Sequence, residues 1–194
     1  MLTRLPAALA VLGLLLAGCG SDTQWHGRNL HSLLPDLAFT LHDGRGHTVT
    51  ASDYSGKVVL LYFGFAQCDD VCPTTLTTLA RAVTSLGDEA ERVRILFVSV
   101  DPRRDTPEVL RHHARHFSPQ LIALSGSDLQ LHELTRRYRV AYGYGATDAN
   151  GAYEVYHSSA IFVFDGRGQA RLLLKEELGA TAIAADLRRL LTTP

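Results

Sequence analysis

Two continuous apolar runs constrain the fold of this chain more than any other feature. Residues 58–63 (VVLLYF) and 95–100 (ILFVSV) are almost entirely apolar and rich in β-branched and aromatic side chains. A strand with one solvated face alternates between apolar and polar residues, whereas a strand covered on both faces does not. The two runs therefore predict central strands of a sheet that has helices on both sides.

The remaining segments predict helices and two hairpins around these strands. Apolar residues recur at helical spacing in four segments, which begin near Pro73, Thr106, Asp128 and Ile183. The turn sequence DGRG occurs twice, at residues 43–46 and 165–168, each time between β-type segments, and predicts a β-hairpin at both places. The order of elements indicates an α/β sandwich around one mixed central sheet flanked by helices, with an N-terminal β-hairpin.

Composition and charge narrow the class of protein. The 194 residues are 46% hydrophobic and 20% charged, which is typical of one globular domain. Nineteen basic and twenty acidic side chains give a net charge of -1, and the chain has no Lys/Arg run that could follow a phosphate backbone. The sequence therefore argues against nucleic acid as a partner.

The N-terminal residues are typical of a lipoprotein signal. Arg4 precedes an apolar stretch, residues 5–17, that is shorter than the about 20 residues of a membrane-spanning helix. Small residues directly precede Cys19, so cleavage and acylation there explain the stretch better than a signal anchor or a buried helix. We expect three parts: a signal peptide (residues 1–18), a tether that begins at acylated Cys19 (residues 19–34) and a folded domain (residues 35–194). Such a chain is exported and lipid-anchored on the periplasmic side of the membrane.

After this processing the chain keeps two thiols, Cys68 and Cys72, between the first central strand and a helix. The carboxyl end of a strand beside a helix N-terminus is where α/β sheets place ligands, and the helix dipole favours a thiolate there. We therefore expect both sulfurs to be unusually acidic. Their spacing allows a shared metal ion or a disulfide, and two unrelated buried thiols are the third possibility.

Two thiolates form an incomplete metal site, so a third ligand is expected among the nine histidines. His157 is the best candidate because it stands just before the apolar strand at residues 161–164. His112, His113 and His116 form a denser cluster, in which His112 and His116 could hold zinc, although a solvated helix surface is the more ordinary interpretation. The other five lie in tether, hairpin or helix contexts without an evident partner: His26, His31, His42, His47 and His132.

Three motifs together resemble the Sco/SenC family: GFAQCDDVCP at residues 64–73, VSVDPRRDTPE at residues 98–108, and His157-Ser158 before an apolar strand. The resemblance implies a thioredoxin-like fold, tethered to a membrane outside the cytoplasm, and copper delivery to the binuclear copper centre of cytochrome c oxidase during assembly. It implies that Cys68, Cys72 and His157 are the copper ligands. It also implies a copper-receiving oxidase subunit as partner, with other periplasmic copper chaperones or thiol reductases as further candidates.

The chemistry of the residues agrees with this resemblance. Two thiolates and one imidazole form a soft set suited to Cu(I), and an added oxygen donor would let the set hold Cu(II). Asp69, Asp70 and Asp101 could supply that oxygen or a nearby charge, and each could instead cap a loop. Many relatives have proline directly after the first cysteine and aspartate directly before the histidine, where this chain has Asp69 and Tyr156.

A thiol-disulfide oxidoreductase is the main alternative to a metallochaperone. It would cycle Cys68 and Cys72 between thiols and a disulfide and reduce the cysteines of the oxidase subunit. Such enzymes use a two-residue cysteine spacing and a cis-proline, whereas this chain has no proline between Pro119 and Pro194. A redox or copper sensor would use the same residues as the carrier, so the sequence does not separate the two.

A peroxiredoxin is suggested by the sequence VCPT at residues 71–74. That family places a proline and a threonine before the reactive cysteine, and the corresponding positions here are Phe65 and Asp69. The acidic Asp69 would also oppose the thiolate that peroxide attack requires. We therefore expect a non-enzymatic metallochaperone, with thiol-disulfide exchange as a secondary activity.

Overall fold

The central sheet is built around the two apolar runs. The computed structural model describes residues 25–68 and 71–192, and all elements named below lie within them. The strands are β1 (Arg28–Asn29), β2 (Thr40–Asp43), β3 (Thr48–Thr50), β4 (Val58–Gly64), β5 (Val93–Ser99), β6 (Leu121–Ser125), β7 (Tyr142–Tyr144), β8 (Val155–His157), β9 (Ile161–Phe164) and β10 (Ala170–Leu174). The helices are α1 (Val71–Thr84), α2 (Pro107–Phe117), α3 (Asp128–Arg137) and α4 (Ala180–Thr192), and short 3-10 helices cover Ala51–Tyr54 and Gly87–Arg92.

The main sheet has the strand order β1-β10-β9-β4-β5-β6-β2-β3. β4 pairs with β5 in parallel and with β9 in antiparallel orientation, so the sheet is mixed, as predicted. Leu60 and Tyr62 of β4 belong to the core on one face, and Leu61 and Phe63 belong to the core on the other. Because both faces of β4 are covered, its residues do not alternate between apolar and polar.

Helices cover the two faces of the sheet unequally. α1, α2 and α4 contribute Leu76, Leu110 and Leu187 to the core that contains Tyr62. The opposite core receives side chains from α3, among them Leu134. The expected α/β sandwich with a mixed sheet and flanking helices is therefore confirmed.

Both DGRG sequences form the hairpin turns that they predict. They connect β2 to β3 and β9 to β10. In each turn the Oδ1 atom of the first residue, Asp43 or Asp165, accepts hydrogen bonds of 2.8 to 3.0 Å from the backbone N–H groups two and four residues later. The last glycine of each turn, Gly46 or Gly168, has a positive φ that side chains disfavour.

The observed element order contains strand β6 and the pair β7 and β8, which the predicted order lacks. β6 lies between α2 and α3 and pairs in parallel with β5. β7 and β8 form a separate two-stranded sheet beside the main one, and this hairpin carries His157. Both features are too short for their periodicity to distinguish them from loops.

The folded domain begins earlier than the sequence predicts, because residues 25–34 do not form a free tether. β1 pairs with β10, and the backbone N–H groups of His26 and Gly27 donate to the buried carboxylate of Asp186 over 3.1 and 2.8 Å. The signal peptide, Cys19 and the rest of the expected tether lie outside the described residues. No helix within the described ranges is long and apolar enough to cross a bilayer.

Candidate metal centre

Three segments bring two thiols and one imidazole together at the carboxyl end of β4. Cys68 lies in the loop after β4, Cys72 lies in the first turn of α1, and His157 ends β8. One ligand atom from each side chain lies within 4.8 Å of the other two. Across residues 25–68 and 71–192, this is the one group of three or more His, Cys, Asp or Glu side chains close enough to hold a metal ion. The structure therefore brings together the three residues that the sequence selects.

Gly64 makes room for the Cys72 thiol at the end of β4. A Cβ atom at this position would lie 3.0 Å from Cys72 Sγ and 2.7 Å from Cε2 of Phe97. Both distances are too short for a methyl group unless the neighbouring side chains move. The glycine therefore allows α1 to place the Cys72 thiol directly against the strand.

The hydrogen bonds of His157 select the nitrogen that faces the thiols. Nδ1 lies 3.1 Å from the carbonyl oxygen of Ser158, and since a carbonyl can only accept, Nδ1 is the protonated nitrogen. In the tautomer with the proton on Nδ1, Nε2 is the unprotonated nitrogen, and it lies 3.2 Å from Cys72 Sγ. The Nε2 lone pair, which can bind a metal ion once the thiol has lost its proton, therefore points at Cys72 Sγ.

The two sulfurs differ in burial and in bonding. Cys72 is fully buried, whereas Cys68 is half-buried at the rim and accepts a 3.5 Å hydrogen bond from the Cys72 backbone N–H. Both are free thiols. Burial raises the pKa of the Cys72 thiol to about 12, and the hydrogen bond with the Cys68 side chain acts in the same direction.

This raised pKa overturns, for Cys72, the expectation of an unusually acidic sulfur. The helix dipole favours the thiolate of Cys72, but loss of hydration between β4 and α1 has the larger effect. Without a metal ion Cys72 is therefore a neutral thiol at neutral pH. A bound cation takes the place of its proton, so metal binding releases that proton to solvent.

Aromatic rings surround the imidazole. The rings of Tyr62 and Phe65 meet the His157 ring edge-on, with centroid distances of 6.1 and 6.0 Å. Burial and the neighbouring Cys72 raise the pKa of the Tyr62 phenol, so its hydroxyl stays protonated. These rings restrict the orientations that His157 can adopt.

Asp101 binds other side chains of the protein and is not one of the candidate metal ligands. Asp101 is fully buried, and the Nε–H group of Arg104 donates to its Oδ2. The hydroxyl of Tyr153 donates to its Oδ1 over 2.7 Å. Because protein donors already occupy both oxygens, Asp101 is not positioned as an oxygen donor to a metal. The other two acidic candidates, Asp69 and Asp70, lie outside the described residues.

Asp105, a residue that the sequence did not predict to be functional, supports the loop that leads to Cys68. Its Oδ2 accepts a hydrogen bond from the Ala66 backbone N–H over 2.8 Å and one from Ser99 Oγ over 2.5 Å. Burial raises the pKa of this carboxyl group. The motif VSVDPRRDTPE contained the signal, since a second acidic residue follows the end of a central strand.

The second histidine cluster lies apart from this site. His113 packs between the rings of Phe97 and Phe117, each at a centroid distance of 5.0 Å, and burial lowers its pKa. His112 and His116 are exposed on α2 and belong to no group of three or more closely spaced His, Cys, Asp or Glu side chains in the described part of the chain. The arrangement fits the solvated-surface interpretation of these two residues.

Comparison with known proteins gives matches over most of the chain. Residues 33–192 match the family model described as SCO1/SenC. The chain is 38% identical over 153 residues to the mitochondrial protein SCO2 homolog of Bos taurus, and the match covers 78% of this chain and 58% of that protein. The chain therefore spans little more than half the length of this relative.

Solved structures of similar proteins have the same architecture. The solution structure of apo Sco1 from Thermus thermophilus is 39% identical, has a TM-score of 0.78, and is matched over 89% of this chain and 100% of that one. The structure of Bradyrhizobium japonicum ScoI with copper bound is 33% identical, has a TM-score of 0.74, and is matched over 80% of this chain and 99% of that one. The shared fold is the thioredoxin-like α/β sandwich that the motifs imply.

Proposed function

The chain belongs to the SCO1/SenC family, and from that premise we propose that it carries copper on Cys68, Cys72 and His157. We further propose that it delivers this copper to the binuclear copper centre of cytochrome c oxidase during assembly. The observation that carries the proposal is the approach of two sulfurs and one imidazole nitrogen to within 4.8 Å at the rim of the sheet. A similar protein, ScoI of Bradyrhizobium japonicum, has been solved with copper bound.

The donor set suits copper as a cargo. Two thiolates and one imidazole are soft ligands that suit Cu(I), and an additional oxygen donor would complete a site for Cu(II). Cys72 forms the buried floor of the site, while Cys68 and His157 stand half-buried at its rim. Copper on such a site stays accessible from one side, so the thiols of a partner can replace these ligands one at a time.

The proposed location follows from the N-terminal sequence. A lipid on Cys19 would hold the exported domain on the periplasmic side of the membrane, beside the oxidase subunit that receives copper. Other periplasmic copper chaperones would load the site, and thiol reductases would keep Cys68 and Cys72 reduced. In this role the chain is a metallochaperone rather than an enzyme.

A thiol-disulfide oxidoreductase is the second candidate, and the two adjacent free thiols are the observation that favours it. The same two sulfurs could pass electrons to a disulfide in the oxidase subunit and end as the Cys68–Cys72 disulfide. The facing imidazole of His157 favours the copper role, because its unprotonated nitrogen adds a third ligand that electron transfer between thiols does not need.

Anaerobic titration of Cu(I) against a competing chelator tests the copper site. We expect the parent chain to bind one Cu(I) and the variants Cys68→Ser, Cys72→Ser and His157→Ala each to bind at least about tenfold more weakly. His112→Ala removes an exposed histidine from α2 and serves as the matched control, with parent affinity. Parent affinity in His157→Ala, together with rapid reduction of a protein disulfide, would instead support the oxidoreductase.

Copper transfer tests the delivery step. The copper-loaded chain is mixed with the reduced, copper-free binuclear-copper domain of the oxidase subunit, and the absorbance of the binuclear centre is followed. We expect the centre to form faster than it does from the same concentration of chelated copper. Equal rates from both copper sources would contradict delivery, and reduction of the oxidised domain by the copper-free chain would support the second candidate.

A further inference from the structure

Arg104 lies where the segments that carry the candidate ligands meet. It belongs to the loop between β5 and α2, and its Nε–H group donates to the buried carboxylate of Asp101. Its Nη1 donates to the backbone carbonyl of Tyr153 over 3.2 Å, and its guanidinium stacks on the Tyr153 ring at 4.1 Å from the centroid. Tyr153 lies two residues before the start of β8, so these contacts connect Arg104 to the strand that ends in His157.

The same guanidinium also contacts the segment that leads to the cysteines. It lies 5.7 Å from the ring centroid of Phe65, which is in the loop between β4 and Cys68. The Phe65 ring in turn meets the His157 ring edge-on, with an angle of 83° between the ring planes. Arg104 therefore connects the cysteine loop and the histidine hairpin through one planar group.

The β7–β8 hairpin depends on such side-chain contacts because it does not pair with the main sheet. Tyr144 of β7 donates its hydroxyl to the Val100 carbonyl over 2.6 Å, which holds one strand of the hairpin. Arg104 holds the segment before the other strand. Asp101 in turn fixes Arg104, because its two oxygens bind the guanidinium and the Tyr153 hydroxyl.

We propose that Arg104 is a positioning residue that holds the β7–β8 hairpin so that the His157 imidazole faces Cys68 and Cys72. The inference rests on the proposed copper site, since it concerns how well the third ligand reaches the metal. Without the planar group the hairpin loses its connection to the cysteine loop. The imidazole then spends less time within coordinating distance, and copper is held mainly by the two thiolates.

Arg104→Lys tests this role, with Arg103→Lys as the matched control. Lysine keeps a positive charge near the buried carboxylate of Asp101 but cannot stack as a plane or donate in two directions at once. Arg103 is exposed, and its guanidinium lies over the ring of Tyr144 at 5.6 Å, a position that a lysine ammonium can also take. The contacts described for Arg104, with Asp101, Tyr153 and Phe65, do not include it. In the full-length chain in detergent, we expect Arg104→Lys to bind Cu(I) about tenfold more weakly than the parent, and Arg103→Lys to match the parent.

Two further readouts separate positioning from general support of the fold. The nitrogen hyperfine signal of bound Cu(II) in electron paramagnetic resonance should weaken in Arg104→Lys, because fewer molecules have the imidazole coordinated. In the His157→Ala background, Arg104→Lys should cause no further loss of Cu(I) affinity. A loss of the same size in both backgrounds would overturn the proposal, and so would parent affinity in Arg104→Lys.

A second pair of variants covers the case in which Arg104→Lys does not fold, as judged by circular dichroism. Tyr153→Leu removes the stacked ring and leaves the contact between Arg104 and Asp101, while Tyr156→Leu alters an exposed tyrosine of the same hairpin. We expect weaker copper binding in the first and parent binding in the second. Parent binding in both would overturn the proposal.

The outcome also distinguishes this proposal from the copper site itself. A parent chain that binds copper no more tightly than His157→Ala refutes the proposed function and the role of Arg104 with it. Tight binding by the parent and by Arg104→Lys, with weak binding by His157→Ala, refutes the role of Arg104 alone.

Discussion

Gly64 is the residue whose replacement most directly tests the packing under the candidate metal centre. In Gly64→Ala the new methyl group would press on Cys72 Sγ and on the Phe97 ring. We expect the free energy of unfolding to fall by about 1–3 kcal/mol and the Cu(I) affinity to fall as well, because the thiol is displaced. Urea unfolding and chelator competition measure the two effects.

Gly143→Ala is the control for this substitution. A Cβ atom at position 143, in β7, meets no other atom within 4 Å. The control should keep the stability and copper affinity of the parent. Equal behaviour of the two alanine variants would show that the close approach at Gly64 has no energetic consequence.

The buried carboxyl group of Asp105 should make the free energy of unfolding depend on pH. Burial raises its pKa in the folded chain above the ordinary value of 3.8, so the folded state binds a proton more tightly than the unfolded state does. The stability contributed by this proton is fully present below pH 3.8 and is lost as the pH rises through the folded pKa. We therefore expect ionised Asp105 to reduce stability near neutral pH.

Asp105→Asn isolates this contribution, because an amide oxygen can still accept the hydrogen bond from the Ala66 N–H group. The difference in unfolding free energy between variant and parent should shift in favour of the variant as the pH rises from about 4 to 7, by at most about 1.4 kcal/mol per pH unit. Urea unfolding at several pH values gives this difference. A difference that does not change with pH would contradict the buried, proton-binding carboxyl group.

At the level of elements, the sequence predicts best those whose pattern is long or chemically distinct. β4 is apolar throughout, β5 is apolar except at Arg94 and Ser99, and the two DGRG turns carry side-chain and glycine requirements of their own. β6 and the β7–β8 hairpin are short, and their pairing depends on neighbours that are distant in sequence. The local sequence pattern therefore predicts the central strands β4 and β5 but not β6 or the β7–β8 hairpin.

The residues of the candidate site could be predicted from the sequence, whereas the pKa of Cys72 could not. Cys68 and Cys72 share one loop, and His157 precedes the strand that pairs with β4, so topology brings the three together. The raised pKa of Cys72 follows from burial, which depends on the complete tertiary packing. For the same reason the sequence did not reveal the contacts of Arg104, which join three segments far apart in the chain.

The short strand β1 gives a prediction about how the N-terminal segment is held. Asp186 of α4 is buried, and its carboxylate accepts both N–H groups that precede β1. In Asp186→Ala these donors lose their partner, and we expect the free energy of unfolding to fall by about 1–3 kcal/mol. Hydrogen exchange should quicken at Leu30, whose N–H group bonds to the Arg171 carbonyl at the same edge.

Asp88→Ala, which alters an exposed carboxylate in a 3-10 helix, is the control for this change. The control should exchange at Leu30 as slowly as the parent does. Copper affinity should stay at the parent value in both variants, because the groups that Asp186 binds are the N–H groups of His26 and Gly27 and not the candidate ligands. Unchanged exchange at Leu30 in Asp186→Ala would mean that β1 is held by its pairing with β10 alone.

Over the whole molecule, the strand registers place the start of the described chain at the same end of the strands as the candidate site. Tyr62 pairs with Ile161, Ile161 pairs with Leu174, and the adjacent Leu173 pairs with Arg28. The residues before Arg28 therefore leave the sheet at the end where β4 presents the thiols. An anchor on Cys19 would therefore attach the chain to the membrane at that end of the sheet.

The reach of such an anchor is short. An extended chain advances at most about 3.3–3.6 Å per residue, so the segment from Cys19 to Trp25 spans at most about 20–22 Å. Because Trp25 packs against the core, the segment cannot lengthen by unravelling without loss of that packing. The proposed lipid anchor would therefore keep the site close to the membrane and to a receiving subunit embedded there.

Lengthening this segment should slow delivery without affecting the copper site. An insertion of about 20 Gly and Ser residues between Thr23 and Gln24 would lower the effective concentration of the site at a receiving subunit in the same membrane by about tenfold. We expect copper transfer to the oxidase in reconstituted vesicles to slow by a similar factor. Cu(I) affinity and transfer to the soluble binuclear-copper domain should match the parent, since neither depends on the anchor. Equal rates of vesicle transfer with both segment lengths would mean that the anchor does not bring donor and acceptor together. Slower transfer to the soluble domain would mean that the insertion disturbs the copper site itself.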